Sequence, residues 1–226
     1  MSSRIADALI LVLAATADAA VRLSCETTVP VSGGVMEIEL WPDTSPMGVK
    51  RVMNLVNSNY FTDLPFFHAL PQMVLFGIQP DAEKQRHWDR MGDIDDDPYP
   101  QNTAPNDDGL LFFSGDPGKK ANSRSTLLSF TLGGKGLLAN RNTPWEIPVG
   151  KIVKGMDVLN GIYTGYGVSP IMAWLNSTNI NRGPHAPDSE SYWKTFPKFD
   201  SFRQCKVVRD QEKSGDPNRR RMPDEL

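Results

Sequence analysis

One segment near the start of the chain, residues 35–56, sets the strongest limit on the fold. Residues 35–41 (VMEIELW) alternate apolar and acidic side chains, which is typical of a β-strand with one buried face. A proline-rich turn follows, and Pro46 suits the first position of a helix that Ser45 can cap. Apolar residues then recur three and four positions apart as far as Val56, so this helix has one apolar face.

The rest of the chain contains several short apolar stretches separated by turn residues. Strands are predicted in residues 66–78, 109–114, 125–132 and 152–153, and a second short helix in residues 155–163. Residues 79–106 are polar, with an aspartate-rich middle and several prolines, and predict a long surface excursion. Several short strands with two helices favour a mainly β fold of the α+β type, built around a β-barrel.

The two ends of the chain predict processing and an address in the secretory pathway. Residues 1–19 resemble a signal peptide, with Arg4 before an apolar run that is too short to span a bilayer. A buried N-terminal helix is the alternative. Residues 211–226 form a polar tail whose last four residues, PDEL, resemble a KDEL-type retention signal. We expect the endoplasmic reticulum lumen, with secretion as the alternative, and no membrane span in the mature chain.

Charge and motif content argue against several classes of function. The net charge of −3 argues against a nucleic-acid binder, which would carry a basic surplus. The aspartates in residues 93–97 lack the glycine and the terminal glutamate of an EF-hand, so they predict a solvated acidic loop. The histidines lack the spacing of a zinc site, and the sequence contains neither a nucleotide-binding nor a serine-hydrolase motif. We therefore expect no metal and no cofactor.

A series of segments, in this order and spacing, resembles the cyclophilin family of prolyl isomerases. They are residues 46–51 with 54–56, 60–61, 66–67, 76–78 with 80–81, 96–98, 150–167 and 196–198. The resemblance implies that residues 20–210 form a closed antiparallel eight-stranded β-barrel capped by two helices. It also implies a monomer that acts as a peptidyl-prolyl cis-trans isomerase on proline-containing peptides or client proteins.

The isomerase site of the family falls on positions that this sequence has changed. The family uses an arginine that donates toward the prolyl nitrogen and an apolar pocket that accepts the proline ring. His68 stands at or beside the arginine position and is the catalytic candidate; a structural, hydrogen-bonded histidine is the alternative. The resemblance assigns substrate binding to Met73, Phe76, Phe113, Leu127, Ser129 and Leu138.

These replacements leave two functions open. Loss of a charged donor that acts mainly in the transition state typically lowers the rate by about 10²–10³-fold. A histidine, which is partly protonated near neutral pH, could donate weakly in its place. We therefore expect weak isomerase activity that assists protein folding in the secretory pathway. The alternative is a non-catalytic cyclophilin-fold module that binds peptides or a partner protein.

Two further sites depend on the secretory address. An even pair of cysteines, Cys25 and Cys205, favours a disulfide in an oxidising lumen. In the cyclophilin barrel the terminal strands are neighbours, so the resemblance brings these two thiols close; two isolated buried thiols are the alternative. Asn176 begins an Asn-Ser-Thr sequon in a polar stretch and predicts N-glycosylation.

Overall fold

The computed structural model describes residues 21–98, 107–115, 119, 121–133, 146–169 and 194–209. These residues form one antiparallel sheet whose strand order is β3-β9-β1-β2-β8-β6-β7-β5-β4. The strands are β1 (Val21–Thr27), β2 (Val35–Leu40), β3 (Leu64–Pro65), β4 (His68–Leu70), β5 (Met73–Phe76), β6 (Leu110–Phe113), β7 (Leu128–Thr131), β8 (Pro148–Lys154) and β9 (Ser201–Arg209). The helices are α1 (Pro46–Asn57), α2 (Ala82–Met91) and α3 (Met156–Asn160). No helix in the described ranges has the length and apolar character needed to cross a bilayer.

The prediction of a mainly β fold is confirmed. The two edge strands of the sheet, β3 and β4, are separated in sequence only by Phe66 and Phe67, so the sheet must bend until its edges approach each other. The described part of the chain has nine strands and three α-helices, compared with the eight strands and two helices that were expected. The additional helix is α2.

The sheet has two chemically different faces, because side chains alternate along each strand. The inner face packs into one large core that also contains the apolar side of α1 and most of the phenylalanines. Its side chains include Ala69 of β4, Val74 of β5, Phe130 of β7 and Leu111 of β6, which pair in one row across the four strands. The opposite side of these strands is called the outer face below.

The N-terminus of α1 is capped from a distant part of the chain. Ser45 occupies the N-cap position as predicted, but its side chain makes no capping bond to the helix and instead donates to Asp97. The Asp97 carboxylate accepts the backbone N–H groups of Met47 at 2.7 Å and Gly48 at 2.9 Å, and it pairs with Arg124 Nη1 at 2.7 Å. These bonds hold the pKa of Asp97 below its usual value, although burial alone would raise it.

Asp97 also changes the interpretation of the acidic stretch. The side chains of both Asp97 and Arg124 are completely buried, so this part of the predicted solvated loop is a buried ion pair. Asp96 accepts the backbone N–H of Asn122 at 2.7 Å, and Asp93 pairs with Lys119. Three of the four aspartates therefore join α1 and the acidic stretch to Lys119, Asn122 and Arg124.

Helix α2 lies inside the segment that was predicted to be a long surface excursion. Asp81 caps it, with its carboxylate accepting the backbone N–H groups of Glu83 at 2.9 Å and Lys84 at 3.1 Å. Only Gln85 and Trp88 are buried, so the apolar side that would indicate a helix is reduced to a single indole. This explains why its sequence, AEKQRHWDRM, resembles a surface segment.

A disulfide joins the first and last strands of the sheet. Cys25 and Cys205 are directly opposite each other in the β1–β9 pairing, with their Cα atoms 4.1 Å apart and their sulfurs bonded. Both are buried, at 0% and 6% exposure. The structure therefore contains the cross-link and not the pair of isolated thiols.

Candidate functional site

The outer face of β4 to β7 carries one row of four side chains that pair across adjacent strands. His68 of β4 is opposite Leu75 of β5, Leu75 is opposite Ser129 of β7, and Ser129 is opposite Phe112 of β6. All four are buried, with exposures of 7%, 7%, 0% and 1% respectively. This row combines an imidazole, a hydroxyl and two apolar groups, and we call it the outer row.

Two further predicted binding residues lie beside the outer row. Met73 is two residues before Leu75 on β5 and packs against a small apolar cluster formed by Leu110 and Phe112. Leu127 is half-buried and stands two residues before Ser129, so it continues the outer face of β7. The structure thus brings His68, Met73, Leu127 and Ser129 to one face of the sheet.

Phe76 and Phe113 do not belong to that face. They pair with opposite sides of Leu128 in an inner row, and both are completely buried in the core. The Phe76 ring lies 5.1 Å from Phe130 and 5.2 Å from Phe202, measured between ring centroids. Both phenylalanines therefore contribute to packing inside the sheet and are not placed to contact a peptide on the outer face.

Leu75 is a member of the outer row that the sequence interpretation missed. The alternation of β5 would have identified it, because Met73 and Leu75 are two residues apart and must share a face. The register between β4 and β5 was needed to show that Leu75 is the residue opposite His68. Two other predicted site residues, Leu138 and Asn176, lie outside the described residues. The same is true of the predicted signal peptide, residues 1–19, and of the predicted tail, residues 211–226.

His68 is held as a neutral imidazole. Burial lowers its pKa, and a hydrogen bond to the Gly167 backbone opposes this shift only in part. Its Nδ1 is buried and has no hydrogen-bond partner within the described part of the chain.

The hydroxyl of the outer row is paired with a second hydroxyl. Ser129 Oγ lies 2.6 Å from Ser114 Oγ, which follows the end of β6. Because each hydroxyl can donate and accept, this pair satisfies a group that would otherwise be buried without a partner. It places a polar hydroxyl on the outer face between the apolar side chains of Leu127 and Phe112.

The chemistry available at this face is therefore limited. Met73 and Leu127 are half-buried apolar side chains on this face, whereas Leu75 and Phe112 are almost completely buried, and no arginine of the described residues belongs to the outer row. Arg124 pairs with Asp97, and Arg51 lies over the ring of Trp88 at 5.3 Å. In the part of the chain that the structure describes, no three His, Cys, Asp or Glu side chains are arranged to hold a metal ion.

A groove elsewhere on the molecule does not involve these residues. It has a volume of about 280 Å³ and lies along α2, between Lys84, His87 and Trp88 on one side and Ser58 and Tyr60 on the other. None of the outer-row side chains lines it. We base the functional argument on the outer row, because the groove lacks the apolar cross-strand surface that a proline ring requires.

Comparison with known proteins gives consistent results for family and fold. Two structures of a cyclophilin-type peptidyl-prolyl cis-trans isomerase from Cryptosporidium parvum are similar to this chain at 15% identity. The first covers 85% of this chain and 99% of its own with a TM-score of 0.53. The second, solved in the presence of the dipeptide Ala-Pro, covers 84% and 99% with a TM-score of 0.52. The Mimivirus cyclophilin covers 87% of this chain and 93% of its own, at 15% identity and a TM-score of 0.52.

Among curated proteins, no relative matches the chain. The sequence profile described as "Cyclophilin type peptidyl-prolyl cis-trans isomerase/CLD" matches residues 25–174, which is more than half of the 226 residues. That match spans α1, the outer row and α3. The low sequence identity of the structural relatives agrees with the changed residues at the site. The chain therefore belongs to the cyclophilin-type peptidyl-prolyl cis-trans isomerase family.

Proposed function

We propose that this protein is a cyclophilin-type prolyl isomerase of low activity that assists protein folding in the secretory pathway. The observation that carries the proposal is the outer face of β4 to β7, where the half-buried apolar side chains of Met73 and Leu127 suit a proline ring, while a buried imidazole is the only nitrogen-bearing side chain of the outer row. The ligands are proline-containing peptides or client proteins, bound by a monomer. The Ala-Pro dipeptide of the Cryptosporidium parvum structure is the smallest example of such a ligand.

Low activity follows from the physical demands of the reaction. The barrier to rotation about an X–Pro bond is about 18–20 kcal/mol, because amide resonance must be broken. A protein lowers this barrier by binding the twisted amide more tightly than either planar form. Burial lowers the pKa of His68, so its imidazole is a weaker donor toward the prolyl nitrogen than a charged arginine. We expect a rate about 10²–10³-fold below that of a site with a charged donor.

The secretory address is supported by three features of the chain. The disulfide between Cys25 and Cys205 is buried, and such bonds persist in oxidising compartments. The sequence begins with a signal-like apolar segment and ends in PDEL. Expression of the full chain with and without its last four residues tests this address. Retention that is unchanged on deletion would reject the role of PDEL, and a cytosolic location would reject the pathway.

A second candidate function is a binding module without catalysis. It is favoured by the polar contact between Ser129 and Ser114, because both hydroxyls already have a partner inside the fold. A binding module of this kind would keep the surface that accepts proline and lose only the acceleration of isomerisation. Activity and binding must therefore be measured separately.

The deciding experiment is exchange NMR on a short X–Pro peptide, with the protein at high concentration. We expect measurable acceleration that is lost in His68→Ala and kept in the matched control His87→Ala, since His87 lies on α2 outside the outer row. Acceleration that survives His68→Ala would show that His68 is not catalytic. Peptide binding with no acceleration in the unmodified protein would select the binding module.

A further inference from the structure

Ser114 places a hydroxyl at the margin of the outer face. It directly follows β6, where side chains alternate, so it shares a face with Phe112, two residues earlier. The 2.6 Å contact with Ser129 Oγ confirms that its hydroxyl is on the same side of the sheet as the outer row. Ser114 is half-buried, whereas Ser129 is completely buried at 0% exposure. Of these two serines, Ser114 is therefore the one that a ligand can reach.

The burial of Ser129 bears on the direction of the bond between the two hydroxyls. Each hydroxyl has one hydrogen, and either oxygen can donate in this geometry. Among the described residues, Ser114 Oγ is the only hydrogen-bond partner of the Ser129 hydroxyl. If Ser114 donated, the Ser129 hydrogen would be buried without an acceptor, which folded proteins avoid. Donation from Ser129 leaves no buried hydrogen unpaired and keeps the hydrogen of Ser114 free.

A free hydroxyl hydrogen matches the polar groups of a proline peptide. Proline has no backbone N–H, so the polar groups beside its ring are the carbonyl of the preceding residue and its own carbonyl. Both accept hydrogen bonds, and the half-buried apolar side chains of this face, Met73 and Leu127, carry no donor. Ser114 adjoins Leu127, whose carbonyl accepts the Ser114 backbone N–H at 3.0 Å. The hydroxyl is thus next to the surface that suits a proline ring.

We propose that Ser114 is a substrate-binding residue whose hydroxyl donates to a carbonyl oxygen beside proline, and that Ser129 is the positioning residue that holds this hydroxyl. The inference rests on the proposed function, because it concerns the same face of the sheet. It also divides the roles of the two serines. Ser129, which the family resemblance assigned to the substrate, is completely buried and acts through Ser114.

Two variants of Ser114 that differ only in the hydroxyl test the proposal. Ser114→Thr keeps a hydroxyl, whereas Ser114→Val has nearly the same shape and lacks it. In calorimetric titration with a blocked Ala-Pro-Ala peptide, we expect Ser114→Thr to bind like the unmodified protein and Ser114→Val to bind about fivefold more weakly, the effect of one hydrogen bond. Ser129→Ala should weaken binding less, because the Ser114 hydroxyl remains but is no longer held. The control Ser58→Ala removes a hydroxyl at the end of α1 and should leave the affinity unchanged.

Two results would overturn the inference: equal affinities of Ser114→Thr and Ser114→Val, or a larger loss in Ser129→Ala than in Ser114→Val. If Ser114→Val fails to fold, Ser114→Ala removes the hydroxyl with a smaller change and should show the same loss. A neutron structure of the unmodified protein gives an independent answer. A deuterium on Ser129 Oγ directed at Ser114 supports the inference, and a deuterium on Ser114 Oγ directed at Ser129 overturns it. If the unmodified protein does not bind the peptide, the proposed function fails, and the neutron result alone decides the inference.

Discussion

The inner and outer faces of strands β4 to β7 belong to the same backbone but differ in chemistry. The inner rows contain only apolar side chains, including Phe76, Phe113 and Phe130. The outer row contains His68 and Ser129 between Leu75 and Phe112. The inner side chains belong to the large hydrophobic core, so their replacement disturbs the fold, whereas the outer-row side chains lie outside that core cluster. A family can therefore keep its fold on one face while its chemistry changes on the other.

The largest effect should come from removing the disulfide, which binds the inner-face residue Cys25 to Cys205. The bond closes a loop of 180 residues, so the double variant C25A/C205A should lose about 5 kcal/mol of unfolding free energy on the chain-entropy model. Guanidinium denaturation measures the loss, and reduction of the unmodified protein should reproduce it. A loss below about 1 kcal/mol would mean that the unfolded chain is already compact in this region.

A pair of neighbouring variants compares the two faces directly. Phe76→Ala removes an inner ring with 0% exposure and should lower the unfolding free energy by about 3–5 kcal/mol. Leu75→Ala, one residue earlier, should cost about 2 kcal/mol and also weaken binding of a proline peptide. Denaturation and calorimetric titration give both quantities. If Phe76→Ala weakens peptide binding without lowering the unfolding free energy, it is wrong to assign stability to the inner face and binding to the outer face.

The hydroxyl pair offers a sharper test of the outer face alone. Ser129→Ala and Ser114→Ala each break the same 2.6 Å contact and should each lower the unfolding free energy by about 1 kcal/mol. Because one bond is shared, the double variant should lose less than the sum of the two single losses. Strictly additive losses would show that the two hydroxyls do not interact.

The smallest effect is the pH dependence that His68 contributes. Burial lowers its pKa in the folded state, so between the folded pKa and the ordinary value the unfolded chain binds more protons. The unfolding free energy should therefore fall as the pH decreases from 7 through the lower pKa. His68→Ala should remove this slope, whereas His87→Ala, on α2, should retain it. The opposite sign would mean that His68 is stabilised in its charged form.

The sequence indicated most of the elements but could not define which face each side chain occupies. The alternation in β2 and the proline at the start of α1 are local signals, and both elements formed where they were predicted. The faces of β4 and β5 depend on the register of a short hairpin, and a shift of one residue exchanges the two faces. Phe76 was therefore assigned to the substrate although it lies in the core, while Leu75 was missed.

Contacts between distant segments were the other information that the sequence did not contain. Ser45 is a suitable local cap, yet Asp97 caps α1 because Arg124 and two backbone N–H groups hold its carboxylate there. The Gly167 backbone, which influences the pKa of His68, lies far along the chain and has no local signature. Such pairings arise from tertiary folding, so only the structure could show them.

The pairing of β1 with β9 has a practical consequence for the chain. Val21 and Arg209 are partners at the ends of these strands, so the two ends of the domain emerge side by side. A short linker could join them, which makes circular permutation feasible with new ends in an exposed turn. A single protease cut between Cys25 and Cys205 would likewise leave two fragments that migrate together until a reductant separates them.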